Sequence, residues 1–414
     1  MRCPVQQLSC PTVLIGIPCL MRGGTEIQTR ALVDALSGGG YEVVVCCYYE
    51  HDAVVVEEMR EAGARVVLLG LIRRLPGRNF HRMPRLAAAL RNVFRRERPD
   101  FFHVQYLAPG AFPVLVARLC RVPKVVATLH TPGHMYRKGA FSPKRVANRF
   151  CDAFICVSRA AERSVFGDAE LFQPALLGNG RRHFTIYNAV DLDEADRLID
   201  ETDPAQLRER LGLGEGPVVG IVARLSREKG HAFFFRAFAE VVQEMPGLQL
   251  LVVGDGKCGA ELRELAGQLG IASHIVWAGR LPREEALRSY MVMDIVAVPS
   301  LYEGFGLSAV EAMAFGKPVV ASDVDELGHV VAHGTTGTLV PYGDVEAMRE
   351  SVLELLRSPE LVRKMGEAGR RRVVEHFNLP RFRAAWLSLY ERLGTIPSAT
   401  SAKSTRGCHR PCAK

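Results

Sequence analysis

VPSLYEGFGLSAVEAMAFGKPVVASD, residues 298–323, holds a strand end, a loop, a helix and the start of the next strand in one stretch. The first strand stops near Pro299, and Glu303 follows in a loop that Gly304 and Gly306 keep open to a ligand. The spacing predicts a helix from about Gly306 to Phe315, with Gly316 as its C-terminal stop and Leu307, Val310 and Ala314 as its buried stripe. Glu311 stands about five residues into that helix, ~7.5 Å along its axis. Glu303 and Glu311 can thus reach two parts of one elongated ligand, as acceptors for its hydroxyl groups, while the helix N–H groups between them receive a phosphate. The alternative is two unrelated surface acids.

Outward from this stretch the same rhythm repeats. A short β-branched run ends in a Gly or polar turn, and a helical period follows. In the first half, strands are expected at 12–17, 41–48, 64–69, 100–104, 124–128 and 152–157, with helices at 25–37, 52–62, 82–97, 107–119 and 159–166. The series restarts with strands at 217–222, 248–253, 274–278, 294–298, 318–322 and 337–340. Near-continuously apolar strands alternating with helices mean parallel sheets covered on both faces. The fold expected is therefore α/β, two doubly wound domains of about 190 residues each. Their boundaries read 1–190 and 191–394, with the polar stretch 191–216 opening the second domain and a disordered tail at 395–414. Ligands of such sheets bind at the carboxyl ends of the strands, so a cleft between the two domains is the expected site.

The whole chain of 414 residues fits this picture: 48% hydrophobic, 24% charged, mean hydropathy +0.05. That composition excludes a mostly disordered chain, and no apolar run reaches the ~18 residues of a membrane span. The first ten residues do not form the apolar core of a signal peptide. The eleven cysteines are an odd number and sit mostly in apolar runs, as Cys46, Cys47, Cys151 and Cys156 do, which reads as free thiols in a reducing cytoplasm. Cys408 and Cys412 flank His409 far from other ligands, and no metal site is expected there. The charge is uneven. Residues 1–188 carry 26 Lys+Arg and 14 Asp+Glu, and the remainder carries 27 and 31. Residues 60–98 hold eleven Arg against Glu61 and Glu97, an anion-seeking surface.

Two further turns carry chemistry. The first strand leads into Pro18 and then Gly23-Gly24-Thr25-Glu26, where paired glycines admit a bulky ligand. Thr25 with Gln28 matches a capping box, which predicts a helix N-terminus suited to a phosphate. In the second half, Arg224 and Lys229 lie five apart in a turn after a strand, and two cations there can clamp a pyrophosphate. Ordinary turns are the competing reading of each segment alone.

With its Glu pair, EGFGLSAVEAMAFGKPVVAS resembles the E-x7-E signature of the retaining GT-B glycosyltransferases of family 4. VARLSREKG (222–230), VVGDG (252–256) and WAGRLP (277–282) precede it in the expected order. GG-T-E at 23–26, TLHTPGH (128–134), VSRAAE (157–162) and IYNAVD (186–191) extend the similarity over roughly 12–392. The resemblance implies a nucleotide-sugar donor in a C-terminal Rossmann-like domain and an acceptor on the N-terminal one. It implies Arg224 and Lys229 as the diphosphate clamp, Glu311 on the ribose, and Glu303 on the donor sugar. Gly304, Phe305, Gly306 and Leu307 then give backbone contacts to sugar and phosphate, and Arg280 frames the base. Gly23 and Gly24 match the loop that closes over the phosphates, and His130 matches a histidine bonded to the transferred sugar. By the same carry-over Glu303, His130, Arg224 and Lys229 are the catalytic group. His103 is a weaker candidate, since its place in a strand can simply bury it. Ala189 departs from the family, which has Gly after the Asn of IYNAVD, and a local adjustment is expected.

The implied activity is transfer of a hexosyl-type sugar from a nucleotide-sugar to a glycan, lipid-linked or small-molecule acceptor, as in polysaccharide biosynthesis, with no metal and no other cofactor. No Asp-x-Asp motif argues for a bound cation. Alternatives are another GT-B protein, such as a nucleotide-sugar epimerase or a phosphorylase, and a non-catalytic nucleotide-sugar-binding protein. The chain is expected in the cytoplasm. Met83, Leu86, Leu90, Val93 and Phe94 form an apolar stripe within the basic stretch, so peripheral contact with an anionic membrane through Arg73, Arg74, Arg78, Arg82, Arg85, Arg91, Arg95 and Arg96 is one expectation. A helix packed on its own sheet with a solvated basic face is the other. No motif for nucleic acid accompanies the charge.

Overall fold

The computed structural model describes residues 10–72, 83–106, 111–133 and 142–396. The chain divides into two compact units: residues up to Tyr187 together with those from Phe382 on, and Asn188–Arg381.

The first unit carries a seven-stranded parallel sheet. Its strands are β1 (Thr12–Ile17), β2 (Glu42–Cys47), β3 (Ala64–Leu68), β4 (Phe101–Gln105), β5 (Lys124–Leu129), β6 (Ala153–Cys156) and β7 (His183–Thr185), in the order β3-β2-β1-β4-β5-β6-β7. The second unit carries β8 (Val218–Val222), β9 (Gln249–Val253), β10 (Ile275–Gly279), β11 (Ile295–Val298), β12 (Val319–Ser322) and β13 (Gly337–Val340), in the order β10-β9-β8-β11-β12-β13. In each sheet the first strand sits centrally and the order reverses beside it. Val13 pairs with Val43 on one side and Phe101 on the other, and Val219 with Leu250 and Ile295. These are doubly wound sheets, and their ligand positions are the turns after β1, β4, β8 and β11. The central strands are buried on both faces, which is why their sequences are apolar without alternation.

Every expected strand is present within a residue or two of its expected ends. The short edge strand β7 and the helix Pro143–Phe150 were not expected. The helix read at 107–119 runs over Phe112–Leu119, and residues 107–110 lie outside the described part.

Three expectations change. The capping box at Thr25 and Gln28 is not made: the helix Gly24–Gly38 starts at an extended Gly23 with no side-chain cap. Thr25 is already inside the helix, and its hydroxyl is taken by the hydroxyl of Tyr106. The domain boundary also moves, because the last helix, Leu379–Thr395, joins the first unit from Phe382 on. Trp386, Leu389, Tyr390 and Leu393 are its buried face, Trp386 lies 5.1 Å from the ring of His103, and Arg383 pairs with Asp34 at 2.5 Å. Finally, the helix Leu307–Ala314 has no single buried stripe. Residues 309–314 are all buried, Glu311 among them, while Leu307 is half-buried. A helix this short between a sheet and the helix Pro359–His376 has almost no solvent side; Met313 packs within 3.0 Å of where a Cβ on Gly369 would stand.

All eight cysteines among the described residues are free thiols. Burial pushes Cys46 and Cys151 up to about 12, so these are inert core residues. Cys408 and Cys412 lie outside the described residues, as does the expected tail from 397 on. No helix among the described residues is long and apolar enough to cross a membrane.

Candidate functional site

In the second unit Arg224, Lys229, Glu303 and the 304–306 loop fall on the turns after β8 and β11, which are neighbours in the sheet, and Leu307 and Glu311 on the helix that follows. The β8 turn runs from Ala223 through a short 3-10 segment, Arg227–Lys229, to Gly230. Gly230 has φ +71°, and a Cβ there would lie 1.7 Å from the carbonyl oxygen of Pro299. Glycine is thus what lets the two turns touch. The N–H of Leu301 donates to the carbonyl of Glu228 at 2.8 Å, which fastens them together.

This contact brings Lys229 onto Glu303. Nζ of Lys229 donates to Oε1 of Glu303 at 2.5 Å, and Oγ of Ser300 donates to the same oxygen at 2.9 Å. Both side chains of the ion pair are largely buried. Arg224 is different. Its side chain is 69% exposed and meets only Glu228, at 3.4 Å, among its described ion pairs. The structure therefore does not join Arg224 and Lys229 into one preformed clamp. Lys229 is set, while Arg224 projects from the same turn.

Gly306, at φ +91°, ends the β11 loop and starts the helix Leu307–Ala314, with no side chain capping its N–H groups. Phe305 turns inward, edge-on to Phe377 at 5.6 Å, so only the backbone of 304–306 can face a ligand. One and a half turns along, Glu311 is held by two residues that sequence reading missed. Nη1 of Arg283 donates to its Oε1, and the hydroxyl of Tyr290 donates to its Oε2 at 3.1 Å. The Glu311 carboxylate holds the Arg283 guanidinium above its usual range against the opposing effect of desolvation, and burial together with Glu311 raises the Tyr290 phenol well above its own. Arg280, expected to frame the base, stands exposed just after β10, three residues before Arg283. The glycines of VVGDG have a packing role: a Cβ on Gly254 would meet the carbonyl of Ala223 at 2.0 Å, and N–H of Leu225 reaches the carbonyl of Asp255 at 3.0 Å. They hold the β8 and β9 turns together.

In the first unit, Gly23 and Gly24 stand at the start of the helix after β1. The Glu26 carboxylate folds back so closely that a Cβ on Gly23 would fall 2.8 Å from it. His130 follows β5. Its Nε2 lies 2.6 Å from Oε1 of Gln105, and its ring is 4.9 Å from that of Tyr106. A carboxamide oxygen only accepts, so Nε2 carries the proton and Nδ1 keeps its lone pair. Burial pushes this imidazole down to about 3, which keeps it neutral. Tyr106 has φ +63°, a strained backbone for a bulky residue. His103, the weaker candidate, is core: its nitrogens bond to Tyr390 at 2.8 Å and Thr128 at 2.6 Å. Ala189 keeps a negative φ and is buried, so the departure from Gly needs no special backbone.

Residues 203–372 match the family model described as glycosyl transferases group 1, and residues 22–194 match that of glycosyltransferase family 4. The chain is 31% identical over 290 residues to an alpha-D-kanosaminyltransferase of Streptomyces kanamyceticus, spanning 67% of this chain and 73% of the relative. It is 32% identical over 325 residues to a 2-deoxystreptamine glucosyltransferase of the same organism, spanning 74% and 82%. Among solved structures, Anabaena HepE in complex with UDP and glucose superposes with a TM-score of 0.75 at 20% identity, over 93% of this chain and 99% of that one, a likeness of fold. Two parallel-sheet units, the two family models in sequence and relatives aligned across most of their length make this chain a member of the GT-B glycosyltransferases of family 4.

Proposed function

We propose that this glycosyltransferase takes a nucleotide-sugar in its second unit and transfers the sugar, with retention of anomeric configuration and without a metal, to a hydroxyl of a glycan, lipid-linked or small-molecule acceptor. The observation that carries the reading is the placement of Lys229 and Glu303 in direct contact beside an uncapped helix N-terminus, with Glu311 farther along the same helix. One end of that row suits a sugar, the middle a diphosphate and the other end a ribose. One Streptomyces relative is named for glucosyl transfer with 2-deoxystreptamine, a small molecule, which supports a small-molecule acceptor.

The chemistry requires the bond between the anomeric carbon and the diphosphate to break. Negative charge builds on the leaving group while the sugar ring becomes cationic. Lys229, Arg224 and the N–H groups after Gly306 meet the first charge, and the Glu303 carboxylate the second, with this electrostatic stabilisation as the main contribution. Arg224, exposed on the same turn and paired with Glu228 at 3.4 Å, has room to turn onto the phosphates when they arrive. Neutral His130 offers the Nδ1 lone pair to a sugar hydroxyl while Gln105 fixes its tautomer. Attack from the leaving-group face lets the departing phosphate take the acceptor proton, so no side-chain base is needed.

The reading places the chain in the cytoplasm, with peripheral contact to anionic membrane through its basic surface. Of the eight arginines in that surface, Arg73, Arg74, Arg78 and Arg82 lie outside the described residues. Arg85, Arg91, Arg95 and Arg96 are exposed on the helix Met83–Glu97, whose apolar residues Leu86, Leu90, Val93 and Phe94 are buried in the core. Any attachment is thus electrostatic and not by insertion of the stripe.

A thermal-shift panel of UDP-, GDP- and ADP-sugars tests donor use, since a bound ligand raises apparent stability. NMR of the product formed from the stabilising donor then reads the anomer. A product of inverted configuration, or stabilisation by none of the donors, overturns the proposal.

A further inference from the structure

The backbone N–H of Glu303 donates to Oδ2 of Asp325 at 3.1 Å. Asp325 lies in the turn after β12, the strand beside β11, and has φ +45°. A residue with a side chain adopts this left-handed conformation at a cost, which glycine avoids. What glycine could not do is accept the Glu303 N–H.

The turn that holds Asp325 is fixed on both sides. The N–H of Asp323 donates to the carbonyl of Val340 at 2.7 Å, and that of Leu327 to the carbonyl of Val324 at 3.0 Å. It also touches the Glu303 loop twice. Asp325 takes the N–H at residue 303, and Leu327 fills the space beside Gly306, where a Cβ would lie 2.5 Å from its Cδ2. The side chain of Glu303 is oriented by Lys229 and Ser300, but its main chain is oriented by Asp325. A donor diphosphate that draws on Lys229 weakens one of the two side-chain holds, and the main-chain hold then decides where the carboxylate stands.

We infer that Asp325 is a positioning residue for Glu303, holding the sugar-facing carboxylate in register through its backbone N–H. This rests on the reading of Glu303 proposed above. Asp325→Gly removes the acceptor while relieving the left-handed strain, and Asp325→Asn keeps an oxygen at the same place. Hydrogen exchange read by mass spectrometry needs no substrate: the peptide covering 300–306 should exchange about tenfold faster in Asp325→Gly and at the wild-type rate in Asp325→Asn. Hydrolysis of UDP-glucose, UDP-N-acetylglucosamine or GDP-mannose, whichever the wild type turns over, should show kcat about tenfold lower in Asp325→Gly with donor KM within about twofold. Its melting temperature should be unchanged or higher, and Asp325→Asn should retain most of the activity. Adding Asp325→Gly to Glu303→Gln should cost nothing further, because one residue acts through the other. Wild-type exchange and kcat in Asp325→Gly, or parallel loss of stability and activity in both variants, overturns the inference. A slow Glu303→Gln beside a wild-type Asp325→Gly removes only the role of Asp325; wild-type kcat in Glu303→Gln removes the reading of Glu303 and this inference with it.

Discussion

Lys229 and Glu303 neutralise one another at 2.5 Å, so the cation proposed for the diphosphate and the carboxylate proposed for the sugar are a preformed pair. Each residue lies largely out of water, and neither can be removed without stranding the other. Lys229→Ala should therefore lose on two counts. Donor affinity should fall by about 1.5–3 kcal/mol, the range for hydrogen bonds to charged groups, and folding stability by about 1–3 kcal/mol for the buried acceptor left behind. Calorimetry and denaturant unfolding read the two separately, and wild-type affinity would take Lys229 out of the site.

Arg224→Ala should lose on one count only. The side chain is 69% exposed and its ion pair with Glu228 is long, so stability should change by less than about 0.5 kcal/mol. Donor affinity should still fall by about 1.5–3 kcal/mol if, as proposed, the guanidinium is recruited when the diphosphate binds. A stability loss equal to that of Lys229→Ala would show that Arg224 is part of the preformed structure.

The strands, their parallel pairing and the positions of the β8 and β11 turns were legible in the sequence, because buried parallel strands leave continuous apolar runs and their turns leave glycines. Lys229 and Glu303 stood out in the sequence as charges in the turns that follow two apolar strands, and the structure places their side chains in contact. Arg283, Tyr290, Gln105 and Asp325 were not legible. They act on a site residue from another element, and nothing in local spacing records a partner 21 to 28 positions away. Thr25 misled because a Thr three residues before a Gln has the pattern of a cap even where its hydroxyl is engaged elsewhere. The last helix misled because its sequence, amphipathic like any other, carries no mark of which sheet it will cover.

His103 is fully buried, and burial together with neighbouring His130 pushes its imidazole down to about 3. In the unfolded chain the same ring titrates near 6.5. The native state thus refuses a proton that the unfolded state takes, and the stability this site contributes is present above pH 6.5 and lost as pH falls from there toward 3. The slope from one such histidine is about 1.4 kcal/mol per pH unit. His103→Phe should therefore reduce the steepness of the stability–pH profile between pH 6 and 4 by about that amount, whatever it does to stability at pH 7. Denaturant unfolding across that range checks it, and an unchanged slope would mean that the ring is protonated in the native state.

The basic helix face should hold the chain on anionic vesicles through charge alone, since Leu86, Leu90, Val93 and Phe94 are committed to the core. Each exposed arginine near such a surface contributes about 1 kcal/mol, and salt screens it. Sedimentation with phosphatidylserine-containing liposomes should show binding that fades as salt is raised. Arg91→Glu with Arg95→Glu should weaken it at low salt, with donor binding unchanged. Equal partitioning to neutral and anionic vesicles would sink the idea.

Glu303 and Glu311 should fail in different ways. Glu311 is the proposed ribose holder, and the ribose does not change during the reaction. Its loss removes binding shared by ground and transition states, so Glu311→Gln should raise donor KM more than it lowers kcat. Because Arg283 and Tyr290 both donate to this carboxylate, the substitution also leaves the Arg283 guanidinium short of its counterion, and a drop in melting temperature should accompany the KM effect. Glu303 is the proposed sugar-facing carboxylate, and that sugar gains positive charge as its bond to phosphate breaks. An acceptor carboxylate helps most at that moment, so Glu303→Gln should lower kcat by about 10²-fold or more with donor binding largely kept. Steady-state kinetics on transfer, or on donor hydrolysis, separates the two. If kcat of Glu303→Gln stays within about twofold of wild type, the paired glutamates are features of the fold and the charge developing on the sugar is met elsewhere.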